Sequence, residues 1–160
     1  MKKVRLLVMD VDGTLTDGRI YMGARGEVMK AFDIKDGYAI HEILPRYGIV
    51  PAILTGRRSE IVANRAAELG IEEVHQGKHD KLDTLVQVAE KYGCAFEEIA
   101  YIGDDILDLD CMRRCGVKGC PADAAGEVKA EADFVSSRCG GQGAVREFIQ
   151  WLTKGYGGGL

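Results

Sequence analysis

Long apolar runs are missing from this chain, and no stretch could span a membrane, which excludes a membrane-embedded helical protein as the working expectation. A surplus of positive charge is missing too. With 21 Lys and Arg against 25 Asp and Glu, the formal net charge is −4, so a nucleic-acid surface is not expected, whereas a small anionic substrate would need only a local cluster of cations. Internal repeats, low-complexity tracts and linkers are absent apart from the short tail at Gly155–Gly159, and the 21 glycines are scattered through turns and helix ends. Met1-Lys2-Lys3 before an apolar strand imitates an export signal, but Asp10 and Asp12 end the apolar run too early. Paired CxxC patterns are also lacking. Five cysteines (Cys94, Cys111, Cys115, Cys120 and Cys139) are an odd number, so reduced thiols in a cytoplasmic protein are expected, and their spacing does not suit zinc. The 160 residues read as one domain, 1–160, with a β-hairpin at 18–33 and a flexible tail at 154–160.

What is present is a run from Val4 to Met9 that reads as a buried strand and ends in Asp10-Val11-Asp12-Gly13-Thr14. In an open α/β sheet ligands gather outside the carboxyl ends of the strands, so Asp10 and Asp12 are expected at a crevice. Two carboxylates that close raise one another's pKa unless a cation sits between them, and Mg²⁺ suits hard oxygen donors plus a phosphate oxygen. An Asp-Gly turn after an ordinary strand would explain this motif alone. Three further polar clusters follow at predicted strand or helix ends: Thr55-Gly56-Arg57, Asp80-Lys81, and Gly103-Asp104-Asp105 with Asp108. Lys81 lies in a first helical turn, where a cation is unfavourable by about 0.3–1 kcal/mol, which points to an anionic neighbour.

Between these clusters, Arg19–Met22 and Glu27–Phe32 alternate around Gly23–Gly26 and predict the hairpin. A helix is expected from Asp36 to Tyr47, closed by Gly48, with others at Ser59–Leu69, Lys78–Tyr92, Leu107–Arg114 and Ala124–Ala130 and a last one from near Gly143. Strands alternating with such helices imply an α/β fold with a doubly wound parallel sheet.

The order of the four motifs resembles the haloacid dehalogenase superfamily, and the likeness covers nearly the whole chain. Within it, Arg57 and the run Gly140-Gly141-Gln142-Gly143-Ala144-Val145-Arg146-Glu147 resemble the 3-deoxy-D-manno-octulosonate 8-phosphate phosphatases. The resemblance implies a Rossmann-like core with Asp10 on the central strand and no cap domain. It also implies Mg²⁺ as cofactor and hydrolysis of a small phosphorylated sugar acid, a step of lipopolysaccharide biosynthesis, through an aspartyl-phosphate. Carried over by residue, Asp10 is the nucleophile and Asp12 the general acid/base. Asp10, the Asp12 carbonyl and Asp104 hold the metal, while Asp105 and Asp108 orient waters or neighbouring side chains. Thr55 and Gly56 hold phosphoryl oxygens, and Lys81 neutralises charge. Arg57 and Arg146 are candidate substrate contacts, although Arg146 could equally brace the glycine turn. Many relatives have arginine where this chain has Gln142, which removes one possible anion contact. Relatives with the hairpin assemble as homotetramers through it, and their tails reach a neighbour's site.

Other readings stay open on the sequence. Related nonulosonate 9-phosphate phosphatases tend to carry glutamate at the position of Arg57. A phosphate-accepting signalling domain would lack the second aspartate followed by Gly-Thr, and a non-catalytic scaffold would have no need of Asp10, Asp12 and Asp104 together.

Overall fold

Leu6–Met9 form β1, and all four side chains are buried. In the computed structural model, which describes residues 3–155, β1 has a parallel partner on each side, β4 (Val50–Leu54) and β6 (Ile99–Ile102). Strands covered on both faces need uninterrupted apolar runs, which is what these three supply. The sheet extends through β5 (Glu73–His75) on one side and through β7 (Val117–Cys120) and β8 (Phe134–Val135) on the other. Its six strands run in the order β5-β4-β1-β6-β7-β8 with every pairing parallel.

The period-two alternation of β1 divides the core between two helical layers. Leu7 and Met9 pack with Ile40, with Val62 and Ala66 of α2 (Glu60–Glu68), and with Phe148 and Ile149 of α6 (Ala144–Lys154). Leu6 and Val8 pack with Leu85 and Val88 of α3 (Lys81–Tyr92), Met112 of α4 (Leu109–Arg114) and Val128 of α5 (Gly126–Glu131). The result is the expected helix-sheet-helix sandwich, and the carboxyl end of β1 opens near its middle.

Local boundaries differ from the sequence expectation where caps and proline intervene. The helix predicted from Asp36 starts earlier, as α1 (Ile34–Tyr38), because the Asp33 carboxylate accepts from the Lys35 N–H at 2.6 Å. It is also not one helix. It widens to a π turn over Ala39–Ile43 and tightens to a 3-10 turn over Leu44–Tyr47 before Gly48 reverses the chain at φ 67°. Pro45 is the cause: it has no N–H for the His41 carbonyl, and its ring disrupts the regular ladder. Helix α3 starts at Lys81 rather than Lys78, since Asp80 caps it by accepting from the Asp83 N–H at 3.0 Å.

The hairpin forms, shorter than expected, as an antiparallel pair of β2 (Tyr21–Gly23) and β3 (Gly26–Met29) separate from the main sheet. Among the described residues no other strand pair is inserted between β1 and β4. From residue 156 onward the predicted tail lies outside the described residues. Among those described, no helix is long and apolar enough to cross a membrane.

Candidate active site

Past β1 the chain folds tightly on itself. The Asp10 N–H donates to the Ile102 carbonyl at 3.0 Å, and the Val11 carbonyl then accepts from the N–H groups of Thr14, Leu15 and Thr16 at 2.9–3.1 Å. Gly13 sits at φ +91°, and a Cβ there would fall 2.0 Å from the Asp104 Oδ2. Only glycine lets Asp104 approach the loop this closely. A glycine pair, Gly140 and Gly141, presses on the same turn. A Cβ on Gly140 would meet the Gly13 carbonyl oxygen at 1.9 Å, and the Gly141 N–H donates to the Thr14 carbonyl at 3.1 Å. The C-terminal glycine run is therefore a wedge against the Gly13–Asp17 turn that follows Asp12.

Asp10, Asp12, Thr55, Gly56, Arg57, Lys81, Asp105, Leu107 and Asp108 line one cleft of about 190 Å³ at the strand ends. Asp104 stands beside them, and carboxylate oxygens of Asp10, Asp104 and Asp108 lie within 4.8 Å of one another. Lys81 reaches in from the first turn of α3 and donates to Asp10 at 2.9 Å and to Asp108 at 2.8 Å. These are the anionic neighbours that its position at a helix start called for. Asp108 is a hub. Its Oδ1 also accepts from the Tyr101 hydroxyl at 2.7 Å, and its Oδ2 accepts from the backbone N–H groups of Asp104 and Asp105 at 3.1 and 3.2 Å. With both oxygens committed, Asp108 fixes Asp104 and Lys81. The Asp105 carboxylate caps the Ile106 N–H at 2.8 Å.

Arg146 is not brought to this cleft. Its N–H donates to the Asp36 carboxylate at 2.7 Å and its guanidinium lies over the Tyr38 ring, 5.3 Å from the centroid. It lies in the first turn of α6, outside the residues that line the cleft. Gln142, whose arginine counterpart in relatives suggested an anion contact, is exposed and outside the cleft lining.

Burial, reinforced by repulsion from Asp108 and opposed by Lys81, raises the Asp10 carboxyl to about 6. Burial and the nearby Asp10 raise Asp104 to about 8, against a hydrogen bond from Thr14. Burial works against the charge on Lys81, but the pull of Asp10 and Asp108 outweighs it and lifts the ammonium above the ordinary lysine range. Two carboxyls pushed up chiefly by burial and further by neighbouring carboxylates, one of them seated against a glycine cradle, form an oxygen donor set that a hard divalent cation would relieve. Asp10 and Asp104, with the backbone of the Asp12 turn beside them, fit such an ion.

Four site neighbours had no signal in the sequence. Thr14 donates to Asp104 at 3.1 Å, Tyr101 donates to Asp108, and the hairpin sends in Lys30 against Asp12 and Glu27 against Arg57 at 3.4 Å. A period-two pattern could have shown that one hairpin face turns inward, but not what it would meet.

A family model for haloacid dehalogenase-like hydrolases matches residues 52–149. The 3-deoxy-D-manno-octulosonate 8-phosphate phosphatase of Escherichia coli K12 is 43% identical over 156 residues, which is 98% of this chain and 82% of that protein. The chain belongs to the haloacid dehalogenase-like hydrolases. Among solved members of this hydrolase family, the octulosonate phosphatase of Yersinia pestis superposes with a TM-score of 0.91 at 42% identity, covering 94% of this chain and 81% of that one. The Moraxella catarrhalis enzyme, in complex with magnesium, phosphate and KDO, gives a TM-score of 0.90 at 40% identity, with 94% of this chain and 86% of that one covered.

Proposed function

We propose that this hydrolase is a Mg²⁺-dependent phosphatase that cleaves 3-deoxy-D-manno-octulosonate 8-phosphate to the free sugar acid and inorganic phosphate. The observation that carries the reading is the convergence of Asp10, Asp12, Thr55 and Lys81 on one cleft, in a chain so similar along its length to enzymes of that activity. Asp10 attacks phosphorus, and the bond from phosphorus to the sugar oxygen breaks to leave an aspartyl-phosphate. Asp12 protonates the departing alkoxide and then takes a proton from the water that hydrolyses the intermediate. Lys81 holds Asp10 in line and offsets charge on the phosphoryl group, while the Thr55 hydroxyl and the Gly56 N–H bind its oxygens. Asp10, Asp104 and the Asp12 carbonyl would hold Mg²⁺, which when bound neutralises phosphoryl charge. Asp108 and Asp105 keep that set in register.

Arg57 is the specificity residue of this reading. It lines the cleft, about half exposed and tethered to Glu27 at 3.4 Å, and its planar fork suits the carboxylate of a sugar acid. The hairpin exposes Met22 at 64% and Val28 at 62%. Such an apolar edge favours burial against copies of itself, so we assign a homotetramer in which neighbouring hairpins replace a cap. The five free thiols suit a reducing, cytoplasmic setting.

A phosphate-release screen over octulosonate 8-phosphate, nonulosonate 9-phosphate and neutral sugar phosphates, with Mg²⁺ and with chelator, tests the function. Preference for the octulosonate ester, lost on chelation, is the expected result. Metal-independent release, or a preference for neutral sugars, would overturn it.

A further inference from the structure

Lys30 directly follows β3, where Val28 and Met29 are exposed, yet its side chain is completely buried. Its ammonium touches two carboxylates, Glu27 Oε2 at 3.1 Å and Asp12 Oδ1. Burying a lysine demands a partner, and Glu27, three residues away, already supplies one. The contact with Asp12 spans eighteen residues and ends on a carboxylate of the cleft. Among the described residues the other Asp12 oxygen carries no hydrogen bond. Glu27 also accepts from Ser59 at 2.6 Å and pairs with Arg57, so the lysine is held by a hairpin that is itself tied to the segment after β4.

We propose that Lys30 is a positioning residue for the reaction: it pins one oxygen of Asp12 so that the free oxygen is presented to the leaving-group oxygen. The direction of Asp12 is then set by the hairpin, while Asp10 is set by the sheet. This rests on the role of Asp12 as proton donor given above, in which the alkoxide takes the Asp12 proton as its bond to phosphorus breaks. A short side chain in an open cleft has several rotamers, and proton delivery works only from those within hydrogen-bond reach of the leaving oxygen.

The test compares two leaving groups. A sugar alkoxide needs the proton, whereas the phenolate of 4-nitrophenyl phosphate departs without it. Lys30→Met should lower kcat/KM for octulosonate 8-phosphate by about 10²-fold and for the aryl ester by less than about 5-fold, the difference being the contribution of aligned general-acid catalysis. Lys30→Arg should recover part of the loss. In an Asp12→Asn background, Lys30→Met should cost nothing further on the sugar ester. An equal fall for both esters, or a full additional loss in that background, would show a lysine that only props the hairpin. If thermal unfolding shows Lys30→Met to be misfolded, the double variant Lys30→Met/Glu27→Gln, which strands no Glu27 charge, is read by the same ratio. Wild-type protein inactive on both esters would refute the phosphatase reading itself, whereas an active wild type with equal losses refutes the role of Lys30 alone.

Discussion

On the sheet side of the cleft Asp10, Thr55, Lys81 and Asp108 are each at most 7% exposed, and every charge there is bonded to another element. On the hairpin side Tyr21, Met22, Val28 and Met29 face outward, and Glu27 and Lys30 turn in. The first rim is held by the same packing that makes the core, so its side chains move only if strands move. The second is attached through ion pairs, and its outer face is free for another surface to grip. In the proposed mechanism the nucleophile thus sits on the rigid rim, and the group that must change roles between acid and base is steered from the adjustable one.

The largest stability effect should come from cutting the rigid rim. Lys81→Met leaves Asp10 and Asp108 facing each other without a cation, and loss of one partner from a buried pair costs about 3–5 kcal/mol. Denaturant unfolding in chelator reads this, and unchanged stability would mean that Lys81 does not hold the rim together.

Next is a pH effect in the buttress behind that rim. The buried Asp36 carboxyl accepts from the N–H of Arg146 and so anchors the start of α6. Burial, together with repulsion from Asp33, raises it from 3.8 to about 6, against the Arg146 hydrogen bond. Because the folded-state pKa is raised, the stability it contributes is present below pH 4 and is lost as pH rises through 6. Relative to Asp36→Asn, the wild type should therefore lose up to about 3 kcal/mol between pH 4 and pH 7. Parallel stability profiles for the two proteins would contradict the burial argument.

The wedge gives a smaller effect. Gly140→Ala drives a Cβ into the Gly13 carbonyl and should cost about 1–3 kcal/mol while lowering kcat. Gly126→Ala, with nothing within 4 Å of the added carbon, should stay within about 0.5 kcal/mol of wild type. If the two variants unfold together, the glycine run is not packing against the loop. Least costly for protomer folding are Met22→Ser and Val28→Ser on the hairpin, within about 0.5 kcal/mol, yet if the proposed tetramer forms through it, light scattering should show a tetrameric wild type and smaller species for the variants. An intact tetramer in the double variant would move the interface elsewhere.

The rigid rim was legible in the sequence; of the adjustable one the hairpin itself was legible, but not what its inner face meets. Apolar runs broken by Asp10, Thr55 and Asp104 announce buried strands with polar ends, and the awkward cation at a helix start announces that Lys81 has anions beside it. Lys30 gives no such sign, because its burial depends on how the hairpin folds back over a loop eighteen residues away. Asp36 to Tyr47 showed one helical period, since side-chain spacing does not register the carbonyl that Pro45 leaves without a donor. Arg146, for which substrate contact and a structural brace stood equal, packs on Asp36 and Tyr38, partners more than a hundred residues away that leave no mark in the local sequence. A glycine needed to let backbones touch, as at Gly140, looks the same in one dimension as one needed to admit a ligand.

The central claim is that Asp10 carries the phosphoryl group. Its most direct test is a single turnover with phosphate-labelled octulosonate 8-phosphate and Mg²⁺, quenched in acid and followed by peptide mapping. The account predicts label bound to the protein at Asp10, sensitive to hydroxylamine, absent in Asp10→Asn, and longer-lived in Asp12→Asn, where the base for its hydrolysis is gone. Full turnover with no label on the protein, or label on another residue, would contradict it.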